Sequence, residues 1–179
     1  MRCHWVTDNP AYIDYHDNEW GIPSHDDRYL FEMLVLESFQ AGLSWECILN
    51  KRDAFRETFD NFDVKKVAKY DHDKVRELQE NKGIVRNKLK IEAAIRNAQK
   101  FIEIQKMYGS FDKFIWSFTE GETVYGDGNS VSSPLSDEVS NTLKLWGMKF
   151  VGTTIIYSYL QAIGVIDDHE EICEKYYQR

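Results

Sequence analysis

Apolar residues recur at intervals of three and four along most of this chain, and only three prolines and ten glycines interrupt them. That spacing lines up one face of a helix, whereas strands would alternate apolar and polar positions. The pattern predicts an all-α fold. Arg28 to Gln40 is mostly apolar. Ser44 is a good N-cap, and Trp45, Ile48, Leu49, Arg52, Phe55 and Phe59 follow it at helical spacing. Asp63 and Asp71 predict caps of two short helices, the second ending near Gly83. Arg86 to Tyr108 predicts a long amphipathic helix carrying Leu89, Ala93, Ala98, Ile102 and Ile104, stopped by Gly109. Phe111 to Phe118 predicts a short aromatic helix, and residues 119–133, polar and glycine-containing, the clearest loop. Ser133-Pro134 opens a helix to Trp146 by cap-and-N1 logic. A tight turn, residues 147–152, leads to a last apolar helix from Thr153 to Ile163. No internal repeat is present.

At 179 residues, 42% hydrophobic and 29% charged, the chain is long enough for one globular domain, residues 1–179, with a sizeable core. It contains no run of eighteen apolar residues, and it begins Met1-Arg2-Cys3-His4-Trp5 rather than with an apolar leader, so neither a membrane span nor a secretion signal is expected and a cytoplasmic location is. A net charge of −8 argues against a general polyanion binder, because such affinity rests on many Lys and Arg contacts to phosphate. Any DNA binding must be local. Three cysteines in a reducing compartment are poor disulfide material but good metal ligands; Cys47, on an apolar helix face, reads as core.

The two ends carry matching halves of a metal site. Cys3 and His16 enclose twelve residues, and His169 and Cys173 enclose three. Two thiolates and two imidazoles make a closed tetrahedral zinc site, which is structural because no position stays open. The second pair sits one turn apart on a helix or turn, as chelation requires; the first needs a folded-back segment. The spacing alone also allows plain terminal cysteines, a disulfide, or two of five histidines falling nearby by chance.

Glu37 follows Leu30, Met33 and Leu34 at intervals of seven, four and three, so its carboxylate projects from an apolar stripe. There it must be paired, hydrogen-bonded or protonated. A structural carboxylate bonded to a loop fits that position. So does a recognition carboxylate, because the next turn, Gln40-Ala41-Gly42-Leu43-Ser44-Trp45, presents an apolar tip and an aromatic plate beside it, a pocket suited to a flat, partly cationic ring. Trp5, Tyr12, Tyr15 and Trp20 surround His16 in a segment too polar for a regular core helix, which favours a stacking site over core packing. The turn at 147–152 joins two helices, 136–163 in all, as a generic helical hairpin would; it also aims backbone N–H groups and a helix N-terminus at one spot, with Lys144 and Lys149 beside it, as a phosphate site would.

Together these segments resemble the 3-methyladenine DNA glycosylase I family. The likeness is carried by Ala11-Tyr12-Ile13-Asp14-Tyr15-His16-Asp17-Asn18-Glu19-Trp20-Gly21, by Leu36-Glu37 with Gln40 to Trp45, by Lys149-Phe150-Val151-Gly152-Thr153-Thr154, and by the terminal ligand pairs. It implies a helix-hairpin-helix glycosylase fold with one structural Zn2+ at Cys3, His16, His169 and Cys173. It implies that Glu37 hydrogen-bonds an extruded base, that Tyr15 and Trp45 wall it with Trp5 and Trp20 nearby, that Gly42 and Leu43 fill the gap left in the duplex, and that the turn with Lys149 and Gly152 grips the DNA backbone. The implied partner is double-stranded DNA containing N3-methylated purines, bound by a monomer.

N3-methyladenine carries a positive charge and leaves readily, so the implied chemistry needs no strong general acid: water attacks C1′ and the enzyme is monofunctional. No lysine in the matched segments stands out as a Schiff-base nucleophile. The wider superfamily places a catalytic aspartate beyond its hairpin, which makes Asp167 a candidate for steadying an oxocarbenium ion; Asp167 and Asp168 equally suit capping or solvated roles. The alternative function is a non-catalytic zinc-stabilised module for modified bases or damaged DNA. It would keep the pocket and the hairpin without needing Glu37.

Overall fold

The computed structural model describes residues 1–179 and is mostly helical. Ten α-helices follow in order: α1 Pro10–Asn18, α2 Asp27–Gln40, α3 Trp45–Asn50, α4 Arg52–Thr58, α5 Val64–Val67, α6 His72–Glu80, α7 Lys88–Tyr108, α8 Phe111–Ser117, α9 Pro134–Trp146 and α10 Thr153–Ala162. Two-residue strands, β1 Val124–Tyr125 and β2 Ile166–Asp167, pair in parallel and tie the long loop to the C-terminal segment. No helix is long and apolar enough to cross a membrane.

Side chains at the helix starts explain the boundaries. Asn9, Asp26, Ser44, Asp63, Asp71, Asn87, Ser110 and Ser133 each accept from a backbone N–H of the first turn, satisfying donors that the helix cannot. Gly109 and Gly147 close α7 and α9 at positive φ, 91° and 94°, where a side chain would be strained.

The expected helix from Ser44 to Phe59 is two helices, α3 and α4, broken at Lys51. The break turns Arg52 inward. Its guanidinium holds Glu19 through two bonds of 2.8 Å and Glu32 at 2.7 Å, pinning the end of α1 to α2 and α4. α7 also differs from expectation: Leu89 is 66% exposed, and its neighbour Lys90 is buried instead. Cys47 is half-buried rather than core.

α2 is the central helix, with Leu30, Phe31, Met33, Leu34, Val35, Leu36 and Phe39 all buried. A helix apolar on every side belongs in the middle of a fold. α7, α8 and α10 pack around it, and the buried Tyr159 of α10 donates its hydroxyl to the Leu30 carbonyl at 2.9 Å. Glu37 is thus a carboxylate at the core end of a core helix.

Candidate active site

One cavity of about 300 Å³ gathers the residues around Glu37. Trp5, Tyr12, Tyr15 and Trp20 come from the N-terminal segment, Glu37 and Gln40 from α2, and Trp45 from the start of α3. Ser158 and Gln161 of α10, Asp168 and loop residues 128–131 complete the lining.

Glu37 is 4% exposed, and burial alone pushes its carboxyl up to about 8, with no neighbouring charge or donor offsetting that effect. Burial likewise pushes the Tyr12 phenol up to about 12 and that of Tyr15 well above its ordinary value, the Glu37 charge adding to both. Both hydroxyls therefore keep their protons. The Trp45 indole N–H is buried without a partner, the kind of donor that a ligand can satisfy.

The aromatic rings form two groups. Tyr15 and Trp45 meet at 5.3 Å. Trp5 touches Tyr12 at 5.4 Å and Trp20 at 4.7 Å. Because all five line the cavity, a flat ring can contact more than one face, and the carboxylate supplies an acceptor at its edge.

Asp168 is held as a clamp. Its carboxylate accepts from the Tyr157 hydroxyl at 2.9 Å, the Gln161 amide at 2.8 Å and the Gly128 N–H at 2.6 Å, fastening the loop against α10. Asp167 lies outside the cavity lining and accepts from His169 Nδ1 at 2.7 Å, with Arg179 at 3.4 Å. Neither residue caps a helix or stands free in solvent.

Beyond the cavity, Gly42 takes a φ of +79° and Leu43 is 38% exposed at the turn after α2. Gln40 secures this tip, donating its amide to the Leu43 carbonyl at 2.7 Å. In the turn 147–152, Ser140 donates to Val151 O at 2.7 Å and Ser38 to Phe150 O at 3.1 Å, while Lys149 is exposed and Gly152 has open space where a side chain would project.

At the termini, donor atoms of Cys3, His16 and Cys173 lie within 4.8 Å of one another, all buried. All three cysteines of the chain are free. Cys173 Sγ is 3.5 Å from His16 Nε2. His169 stands outside that trio, yet its ring meets the His16 ring edge-on at 5.2 Å and its Nε2 is buried without a partner. The Nδ1 atoms of His16 and His169 bond Asp17 and Asp167 at 2.8 and 2.7 Å, the carboxylate–histidine arrangement that leaves each Nε2 for a metal. Burial pushes the Cys3 thiol up to about 12 and lowers the His16 imidazole, so the cluster favours neutral forms in the absence of a cation.

Residues 5–176 match the family model for methyladenine glycosylases. The chain belongs to that family. It is 43% identical over 177 residues to DNA-3-methyladenine glycosylase 1 of Escherichia coli strain K12, covering 96% of this chain and 95% of that one. A crystal structure of a 3-methyladenine DNA glycosylase I superposes with a TM-score of 0.94 at 44% identity over 97% of this chain and 98% of the other. A Staphylococcus aureus 3-methyladenine DNA glycosylase I, solved to explain its recognition of 3-methyladenine, gives 0.92 at 36% identity over 97% and 95%.

Within this methyladenine glycosylase, sequence reasoning missed Ser158, Gln161 and the loop wall at 128–131. Ser158 and Gln161 left a signal: polar residues three apart on the mostly apolar α10 share one face. The loop left none, since Asp168 fixes it from forty residues away.

Proposed function

We propose that this protein is a monofunctional DNA-3-methyladenine glycosylase that hydrolyses the N-glycosidic bond of N3-methyladenine in alkylated double-stranded DNA, working in base-excision repair as a single cytoplasmic domain and a monomer. The observation that carries the reading is Glu37, an uncompensated carboxylate in an aromatic cavity, raised by burial alone. A neutral ligand would leave that burial unrelieved. A cationic methylated base brings the missing charge, and its exocyclic amine offers a donor.

The family likeness and the cavity support the same sequence of events. The protein docks on the duplex through the helix-hairpin-helix formed by α9, residues 147–152 and α10, where Gly152 lets the backbone approach phosphate and Lys149 adds charge. Gly42 and Leu43 enter the stack as the base leaves. Extrusion costs a few kcal/mol, and stacking against Trp45, Tyr15, Trp5 and Trp20 returns about 1–3 kcal/mol per base. The methylated base departs without protonation, and water attacks C1′.

The terminal residues fit a zinc ion: two thiols and two imidazoles already oriented by carboxylates, with one buried nitrogen unpartnered. We assign Cys3, His16, His169 and Cys173 to one structural Zn2+. It would fasten the N-terminal segment, and with it Trp5, Tyr15 and Trp20, to the C-terminal end. Incubation with methylated duplex DNA and identification of the released bases tests the function. Release of 3-methyladenine is expected, and tight binding without release would instead indicate a recognition module.

A further inference from the structure

The two turns assigned to the duplex leave different helices, yet one face of α7 holds both. Lys90 Nζ donates to the carbonyls of Phe39 at 2.9 Å and Ala41 at 2.6 Å, at the end of α2 just before Gly42 and Leu43. Asn97 Nδ2 donates to Lys149 O at 2.9 Å while its Oδ1 accepts from Lys149 N at 2.9 Å, closing a two-bond clamp on the other turn. Arg96 adds a bond of 3.1 Å to the Gly147 carbonyl. Lys90 and Asn97 are 7% and 1% exposed, and seven residues separate them, two helical turns or about 10.5 Å along one face.

Lys90 also resolves an electrostatic conflict. The carbonyl end of α2 carries partial negative charge and no basic residue in its last turn, and the tip that follows must approach a polyanion. A buried ammonium 49 and 51 residues away in sequence supplies the countercharge.

We propose that α7 is a ruler: Lys90 and Asn97 are positioning residues that fix the register between the Gly42–Leu43 tip and the 147–152 turn, so that the tip enters the stack opposite the nucleotide whose backbone the turn holds. This rests on the glycosylase reading, in which a misplacement of about 1 Å between reacting parts can cost roughly a hundredfold in rate.

The test separates the two anchors. Lys90→Met should lower kcat on methylated duplex at least tenfold, with binding of undamaged duplex and of free 3-methyladenine within twofold of the parent. Asn97→Ala should raise KM and weaken both damaged and undamaged duplexes about tenfold, again sparing the free base. The double variant should lose less than the product of the two, because one register is lost once. Lys90→Arg should recover most of the kcat, and where Lys90→Met does not fold, Lys90→Gln reads the same split. Folded variants that excise within twofold of the parent, or free-base affinity that falls in step with excision, would overturn the ruler. A parent that releases no methylated base overturns the glycosylase reading instead, and duplex binding by Asn97→Ala still reports on the anchor.

Discussion

Tyr15 and Trp45 lie with ring centroids 5.3 Å apart at an interplanar angle of 53°, in direct contact with each other. Touching aromatic pairs have centroids roughly 4.5–7 Å apart, and these two fall within that range. They form one corner of the cavity, with Trp5, Tyr12 and Trp20 as a second group.

The backbone turn should supply affinity without base selectivity. Gly152 has an ordinary φ of −61° and nothing within 4 Å of where a Cβ would stand, so Gly152→Val should fold normally and lose binding to damaged and undamaged duplexes alike. Lys149→Ala should reduce the slope of log affinity against log salt by roughly one if that lysine meets phosphate. Lost lesion preference with intact affinity and salt slope would mean the turn reads bases.

Metal analysis should find one zinc per chain. Cys173→Ala and His169→Ala should lower stability far more than they alter the chemistry of the protein that stays folded, each kcal/mol appearing as roughly 2–4 °C in melting temperature. Carefully reconstituted protein holding less than about half an equivalent, with all four ligands intact, contradicts the site.

The fold was legible where local chemistry decides it. Caps at Ser44, Asp63, Asp71 and Ser133 and the stop at Gly109 stand where the sequence puts them, because a capping side chain acts within three residues. The break at Lys51 was hidden because it serves a distant need, the Arg52 bridge between Glu19 and Glu32. Lys90 was hidden for the same reason, its carbonyl partners being 51 and 49 residues away. At the site, Glu37 was readable from its neighbours on an apolar stripe. Asp167 was a candidate from its position beyond the hairpin, and what the sequence did not show is that its carboxylate bonds His169, two residues on.

Glu37 should also write itself into the pH dependence. Its carboxyl ionises near 4.5 in an ordinary setting and at about 8 in the fold. Between those values the unfolded chain has lost the proton and the folded chain keeps it, so this group makes stability fall as pH rises across that window. Denaturant titrations at several pH values should show a flatter profile for Glu37→Gln and a more stable variant at neutral pH. Catalysis should slope the other way: a cationic base takes the ionised form, so kcat/KM on methylated DNA should climb with pH and level near 8 in the parent only. Parallel profiles for the two proteins would contradict this.

The most direct measurement is excision of N3-methyladenine by Glu37→Gln, with binding of the free base alongside and Trp45→Ala as the contrast. Glutamine keeps the shape and one acceptor but removes the charge, and a charge-assisted hydrogen bond contributes about 1.5–3 kcal/mol. A loss of roughly ten- to hundredfold is expected, together with weaker discrimination between cationic and neutral bases. Trp45→Ala should instead weaken both kinds of base, through lost stacking. Excision at the parent rate by a folded Glu37→Gln, with unchanged affinity for free 3-methyladenine, would make the carboxylate structural and contradict the assignment of the pocket.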